Sequence, residues 1–134
     1  MNKQTRDNLA TAMRSEAFTY AKYMLFAEHA RETGNSELAQ LIEKTAKQEL
    51  LEHFVKEAAL AEMVRSDIDN LEDAIASESY GIESMYRDFA EQAFSAGDKA
   101  IGDRFEEIRH EEMKHRDAFK EALSNLAKKP LRAW

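Results

Sequence analysis

Glu112 and His115 lie three residues apart on the apolar stripe of one long helical segment. Steps of three and four through that segment give Ile101, Phe105, Ile108, Glu112, His115, Phe119, Ala122 and Leu126. A carboxylate and an imidazole therefore share a face whose other members are apolar. Burying an ionised carboxylate without a partner costs several kcal/mol, so such a group is paired or bound to a cation. Glu-x-x-His on an inward helix face is the spacing by which helical bundles hold pairs of metal ions. Metal binding is the chemistry to which this pair points.

Three further stripes carry acids at similar depth. Leu9, Met13, Glu16, Tyr20, Tyr23, Ala27 and Ala30 form one, with Glu16 as its charge. Leu71, Ile75, Glu78, Ile82, Met85 and Phe89 form another, with Glu78. The second segment runs Leu38, Ile42, Thr45, Glu49, then Glu52 or His53, then Ala59 and Met63. Any one of these glutamates reads most simply as a surface residue or one end of an ion pair. Four at matching depth, two with a histidine nearby and no set of inward lysines or arginines, require cations from outside. Four or more carboxylates with one or two imidazoles suit iron or manganese, with zinc competing for the same place. Two ions fit better than one, because carboxylates bridge and unneutralised charges in one core would push each other's pKa upward.

Other candidates are weaker. His110 lies off the stripe and reads as a surface histidine, and His29 stands near a helix end, where an imidazole helps satisfy the dipole. Tyr23 falls two turns after Glu16 and Tyr86 two turns after Glu78. Beside plain core packing, a phenol there could hydrogen-bond a ligand carboxylate. The methionines read as gap-filling core.

Four helices must hold these residues in place. One proline, four glycines and 34% charged residues suit helix and leave little room for a sheet protein with many turns. Gly34-Asn35-Ser36 and Gly97-Asp98 each pair a helix-stopping glycine with an N-capping residue. Ser66-Asp67 offers another break, and Pro130 ends the last segment. The expected helices run roughly over 5–33, 36–65, 68–96 and 98–128. The tight turns make the first two, and the last two, antiparallel neighbours. The fold class is thus all-α: an antiparallel four-helix bundle from two helical hairpins, one domain over 1–134 with a loose tail from about 128. A gapless shift of 63 positions also lays Phe26 on Phe89, Gly34 on Gly97, Glu43 on Glu106 and Glu49 on Glu112. Two related hairpins would set Glu49 opposite Glu112.

Net charge is −7 with acids spread along the chain, so no nucleic-acid partner is expected. The absence of cysteine excludes disulfides, thiolate zinc sites, iron–sulfur clusters and cysteine nucleophiles from these residues. The opening MNKQTRDNLATAM lacks the apolar core of a signal peptide, and no apolar run could span a bilayer. A cytoplasmic protein without membrane contact is the expectation.

With these residues assembled, the chain resembles the rubrerythrin family of the ferritin-like superfamily, in particular its short members without a rubredoxin domain. The likeness covers about residues 5–126 and rests on an ordered set of pieces. These are Ser15-Glu16 with Tyr23 and Phe26-Ala27; Ala46-Lys47-Gln48-Glu49; Asn70-Leu71-Glu72-Asp73-Ala74-Ile75 leading to Glu78; Met85-Tyr86 with Phe89-Ala90; and Glu112-Met113-Lys114-His115. The resemblance implies that Glu16, Glu49, Glu78, Glu112 and His115 are ligands of a di-iron centre, with Glu49 and Glu112 bridging. It also implies hydrogen peroxide reduction with electrons from an external, rubredoxin-type donor.

Two departures stand out. The family pattern repeats Glu-x-x-His on helix two, whereas here the third residue after Glu49 is Glu52 and His53 comes fourth. Either Glu52 is the ligand, or an extra residue absorbed in a π-bulge swings His53 inward. The family commonly has a further glutamate three residues after the helix-three ligand, and Gly81 stands there instead.

Two other functions compete with peroxide reduction. One is a ferroxidase or iron-handling role using dioxygen, and the other is a helical interaction module without metal. A homodimer is expected, and the short 64–70 connection invites exchange of hairpins between subunits.

Overall fold

The computed structural model describes residues 1–129, and these are helical throughout apart from short turns. They form two compact units, Met1–Val64 and a second beginning at Arg65. The expected loose tail lies, from Pro130 onward, outside the described residues.

The first hairpin contains α1 (Lys3–Glu32) and a second helical run made of α2 (Ser36–Gln48), a π-helical turn (Glu49–Phe54) and α3 (Val55–Leu60). Asn2 caps α1 by accepting the Thr5 amide at 2.8 Å. At the far end Gly34 turns left-handed, at φ +80°. Its amide donates to Arg31, and that of Asn35 to Ala30, closing a Schellman motif. Asn35 is therefore already committed when it starts α2, and its side-chain amide donates to Thr33 Oγ1 at 3.2 Å. It stands at the N-cap without making the capping bond expected of it, and Asp98 does the same at ψ 61°.

The second helical run stops at Leu60, several residues before the expected end near 65. Glu62 adopts a left-handed φ of 50°, with Glu62 and Met63 amides returning to Ala59 and Ala58. This is the same stop motif without a glycine, which is why composition gave no sign of it. Alanines line the seam within this hairpin: Ala27 and Ala30 of α1, Ala39 and Ala46 of α2 and Ala58 of α3 are all buried. Their small side chains let two backbones approach closely. Arg31 bridges to Glu43, which also meets Lys47 at 3.5 Å.

The second hairpin contains α4 (Asp67–Tyr80), a π-helical turn (Gly81–Met85), α5 (Tyr86–Ala96) and α6 (Lys99–Ala127). Ser66 caps α4 through the Asp69 amide at 3.1 Å. Gly97, at φ +85°, stops α5 with another Schellman pair. Phe105 of α6 packs its ring 5.9 Å from both Tyr86 and Phe89, and Phe94 lies across Gly102. The continuous helix expected over 68–96 is broken in register by its π turn, which the hydrophobic stripe did not indicate.

Candidate metal centre

In the first hairpin, Glu16 comes from the middle of α1, while Glu49 and His53 come from the π turn that follows α2. One donor atom from each of the three lies within 4.8 Å of the others. His53 Nδ1 is 2.8 Å from Glu49 Oε2 and 3.5 Å from Glu16 Oε2. The π turn explains this convergence. Residues four apart are neighbours on a regular helix too, but the wider coil keeps the fourth, His53, beside Glu49 while rotating the third off that face. The third residue is turned away: Glu52 and His53 are both exposed, but Glu52 borders a shallow surface depression with Gln40 and Lys44, and His53 alone of the two reaches the other donors. Of the two residues that the sequence left open, His53 joins the cluster and Glu52 does not.

Protons are unevenly shared within this cluster. A hydrogen bond between the two carboxyls, with burial adding to it, raises the Glu16 pKa above its ordinary value. The same bond lowers that of Glu49, aided by His53 against the opposing effect of desolvation. The pair titrates as one unit, in which Glu16 holds the proton longer. The bond to Glu49 likewise raises the pKa of His53. Three donors crowded this way repel or share protons until a cation replaces them.

In the second hairpin, Glu78 comes from α4, and Glu112 and His115 come from α6. His115 Nδ1 stands 3.4 Å from Glu78 Oε1. Glu78 Oε2 and Glu112 Oε2 are both buried within the structure and accept no hydrogen bond. Burial raises the Glu112 pKa, and the Glu78 charge raises it further against the opposing His115. Unpartnered buried carboxylate oxygens beside an imidazole fit a divalent cation well.

Tyr23 lies against Phe26, with ring centroids 6.2 Å apart, and Tyr86 against Phe105. Among the described residues neither phenol is hydrogen-bonded to a cluster carboxylate, because two helical turns carry each about 11 Å along the axis from its glutamate. His110 turns Nδ1 to its own helix, 2.7 Å from the Glu106 carbonyl, as suits a surface histidine. Sequence reasoning missed Arg109, whose Nε donates to the Ile82 carbonyl at 2.7 Å inside the second π turn. No helix among the described residues is long and apolar enough to cross a membrane.

A model of the rubrerythrin family matches residues 7–123. Nigerythrin of Nitratidesulfovibrio vulgaris (strain Hildenborough) is 42% identical over 59 residues, covering 44% of this chain and 29% of nigerythrin. The fully reduced, all-ferrous structure of nigerythrin aligns with 94% of this chain and 69% of its own, at 29% identity and a TM-score of 0.48. The family match reaches all four long helical runs and spans Glu16, Glu49, His53, Glu78, Glu112 and His115, which gives the ferritin-like, four-helix fold class expected from the sequence. The chain belongs to the rubrerythrin family.

Proposed function

We propose that this protein is a di-iron oxidoreductase that reduces hydrogen peroxide with electrons from an external, rubredoxin-type donor. Family membership supports the di-iron oxidoreductase class. The observation that carries the reading to these residues is the convergence of Glu16, Glu49 and His53 within 4.8 Å. Glu78, Glu112 and His115 repeat the same donor set in the second hairpin. On this reading each hairpin supplies two carboxylates and one imidazole for metal binding.

Two carboxylates match the charge of each divalent ion, so none is left buried and uncompensated. The raised pKa values of Glu16 and His53 favour their protonated forms, whereas a cation requires both deprotonated, so metal uptake competes with protons. Ferrous ions held there would supply the two electrons that, with two protons, convert peroxide to two waters. The chain has no cysteine, so no thiolate-bound cluster among these residues can relay electrons to the site.

Stopped-flow oxidation of the anaerobically loaded protein tests the reading. Peroxide is expected to oxidise it much faster than dioxygen does. Equal or faster oxidation by dioxygen would instead assign an iron-oxidising role. Metal analysis of protein purified without chelator identifies iron, manganese or zinc as the native ion, and sedimentation checks the homodimer that belongs to the same proposal.

A further inference from the structure

We infer that Gly81 is a positioning residue for Glu112: the side chain missing from the second π turn leaves the seat in which the Glu112 carboxylate rests. The inference deepens the metal reading above and depends on it. A methyl group placed on Gly81 would overlap Glu112 Oε2 and come within 3.0 Å of Glu112 Cδ and 3.3 Å of Oε1. All three of its nearest neighbours belong to that one carboxylate. Gly81 itself is buried, and its φ of −59° is ordinary helix, so backbone conformation does not require glycine there. A glycine inside a helix is otherwise a liability, since it loses more conformational freedom on folding than any other residue. Space is what its absent side chain provides.

The seat also fixes what the carboxylate can do. Oε2 is pressed into the notch, buried and without a hydrogen bond, and Glu78 Oε2 on the facing helix is likewise unpartnered. Glu78 and Glu112 come from facing helices and His115 Nδ1 lies 3.4 Å from Glu78 Oε1, so these are the residues that would hold an ion in the second hairpin. The overlapping atom is the end of a flexible side chain. Filling the notch therefore moves the Glu112 carboxylate rather than unfolding the hairpin.

Cobalt(II) titration, followed by its visible absorption bands and by equilibrium dialysis, tests this on the full chain. Native protein is expected to take two ions per chain. Gly81→Ala is expected to melt no lower than native protein yet bind one of the two at least tenfold more weakly. Adding Gly81→Ala to Glu112→Ala should weaken binding no further, because the glycine acts only through that carboxylate. Gly102→Ala serves as the packing control, since its added carbon meets the Phe94 ring at 2.5 Å. It should lower the melting temperature and keep both ions. Two ions bound by Gly81→Ala with native affinity, or losses that add in the double variant, would overturn the seat while leaving the metal reading intact. A native chain that takes up no cobalt would overturn both.

Discussion

Arg109 reaches from α6 into the facing π turn, where its Nε donates to the Ile82 carbonyl at 2.7 Å. The bond answers a specific vacancy. The Tyr86 amide bonds back to Gly81 rather than to Ile82, so the register jump leaves the Ile82 carbonyl without its usual donor. A buried carbonyl in that state is costly, and the guanidinium satisfies it. Arg109→Met keeps the apolar stem but removes the donor. It is expected to lower stability by about 1–3 kcal/mol in urea denaturation. Faster amide exchange over residues 81–87 would accompany the loss. Unchanged stability and unchanged exchange would show that the π turn holds its register without Arg109.

His53 makes the metal-free protein sensitive to pH. The bond to Glu49 raises the imidazole pKa above its ordinary 6.5. The folded state thus prefers the charged ring, a contribution fully present below pH 6.5 and lost as pH rises through the raised value. Glu43 acts in the opposite direction: Arg31 and then Lys47 lower its pKa, so its contribution is present above 4.5 and lost as pH falls. The melting temperature of metal-free protein should therefore decline on the alkaline side of 6.5, and His53→Ala should flatten that limb alone. An unaltered limb in the variant would remove His53 as its cause.

Glu112 sets stability against binding. Its carboxyl is raised chiefly by burial, so ionising it in the metal-free fold is unfavourable, and the penalty grows as pH climbs from 4.5 through the raised value. Glu112→Gln keeps the shape and removes the charge. Near neutral pH it is expected to raise the metal-free melting temperature by a few degrees while abolishing the cation site of the second hairpin. Calorimetry with and without added ion reads both effects, and a lower metal-free melting temperature would contradict the first.

Much of this fold was legible because its signals are local. Gly34 and Gly97 stop helices where glycine is the residue best able to turn left-handed, and the apolar stripes place Glu16, Glu78 and Glu112 at half-buried depth. What escaped depends on contacts made across helices. The stop at Glu62 uses a non-glycine left-handed residue, and the second π turn has no local mark beyond a mid-helix glycine. The purpose of that glycine emerges only once Glu112, thirty-one positions away in sequence, is brought against it. The first π turn was an open alternative because the third and fourth residues after Glu49 both neighbour it on a regular helix, so Glu52 and His53 compete for one role. The two hairpins absorb the extra residue differently, one after Glu49 in its second helical run and the other after Glu78 in its first.

That difference makes Glu52 and His53 the sharpest test of the ligand set. A regular helix sets both Glu52 and His53 beside Glu49, whereas the π turn keeps His53 there and rotates Glu52 off that face. His53→Ala should therefore weaken binding of one ion by about 100-fold or more, since even residues that merely orient ligands cost 10–100-fold when removed. Glu52→Ala should change affinity by less than about twofold, because a side chain turned to solvent gives up nothing when an ion binds. The same contrast must appear in stability. An ion present at about a thousand times its dissociation constant stabilises the folded state by about 4 kcal/mol. Native protein and Glu52→Ala should both gain that increment on loading and lose it to a chelator, while His53→Ala gains much less. Reversal of the two variants would mean that the helix relaxes to its regular register when metal binds, with Glu52 displacing the imidazole.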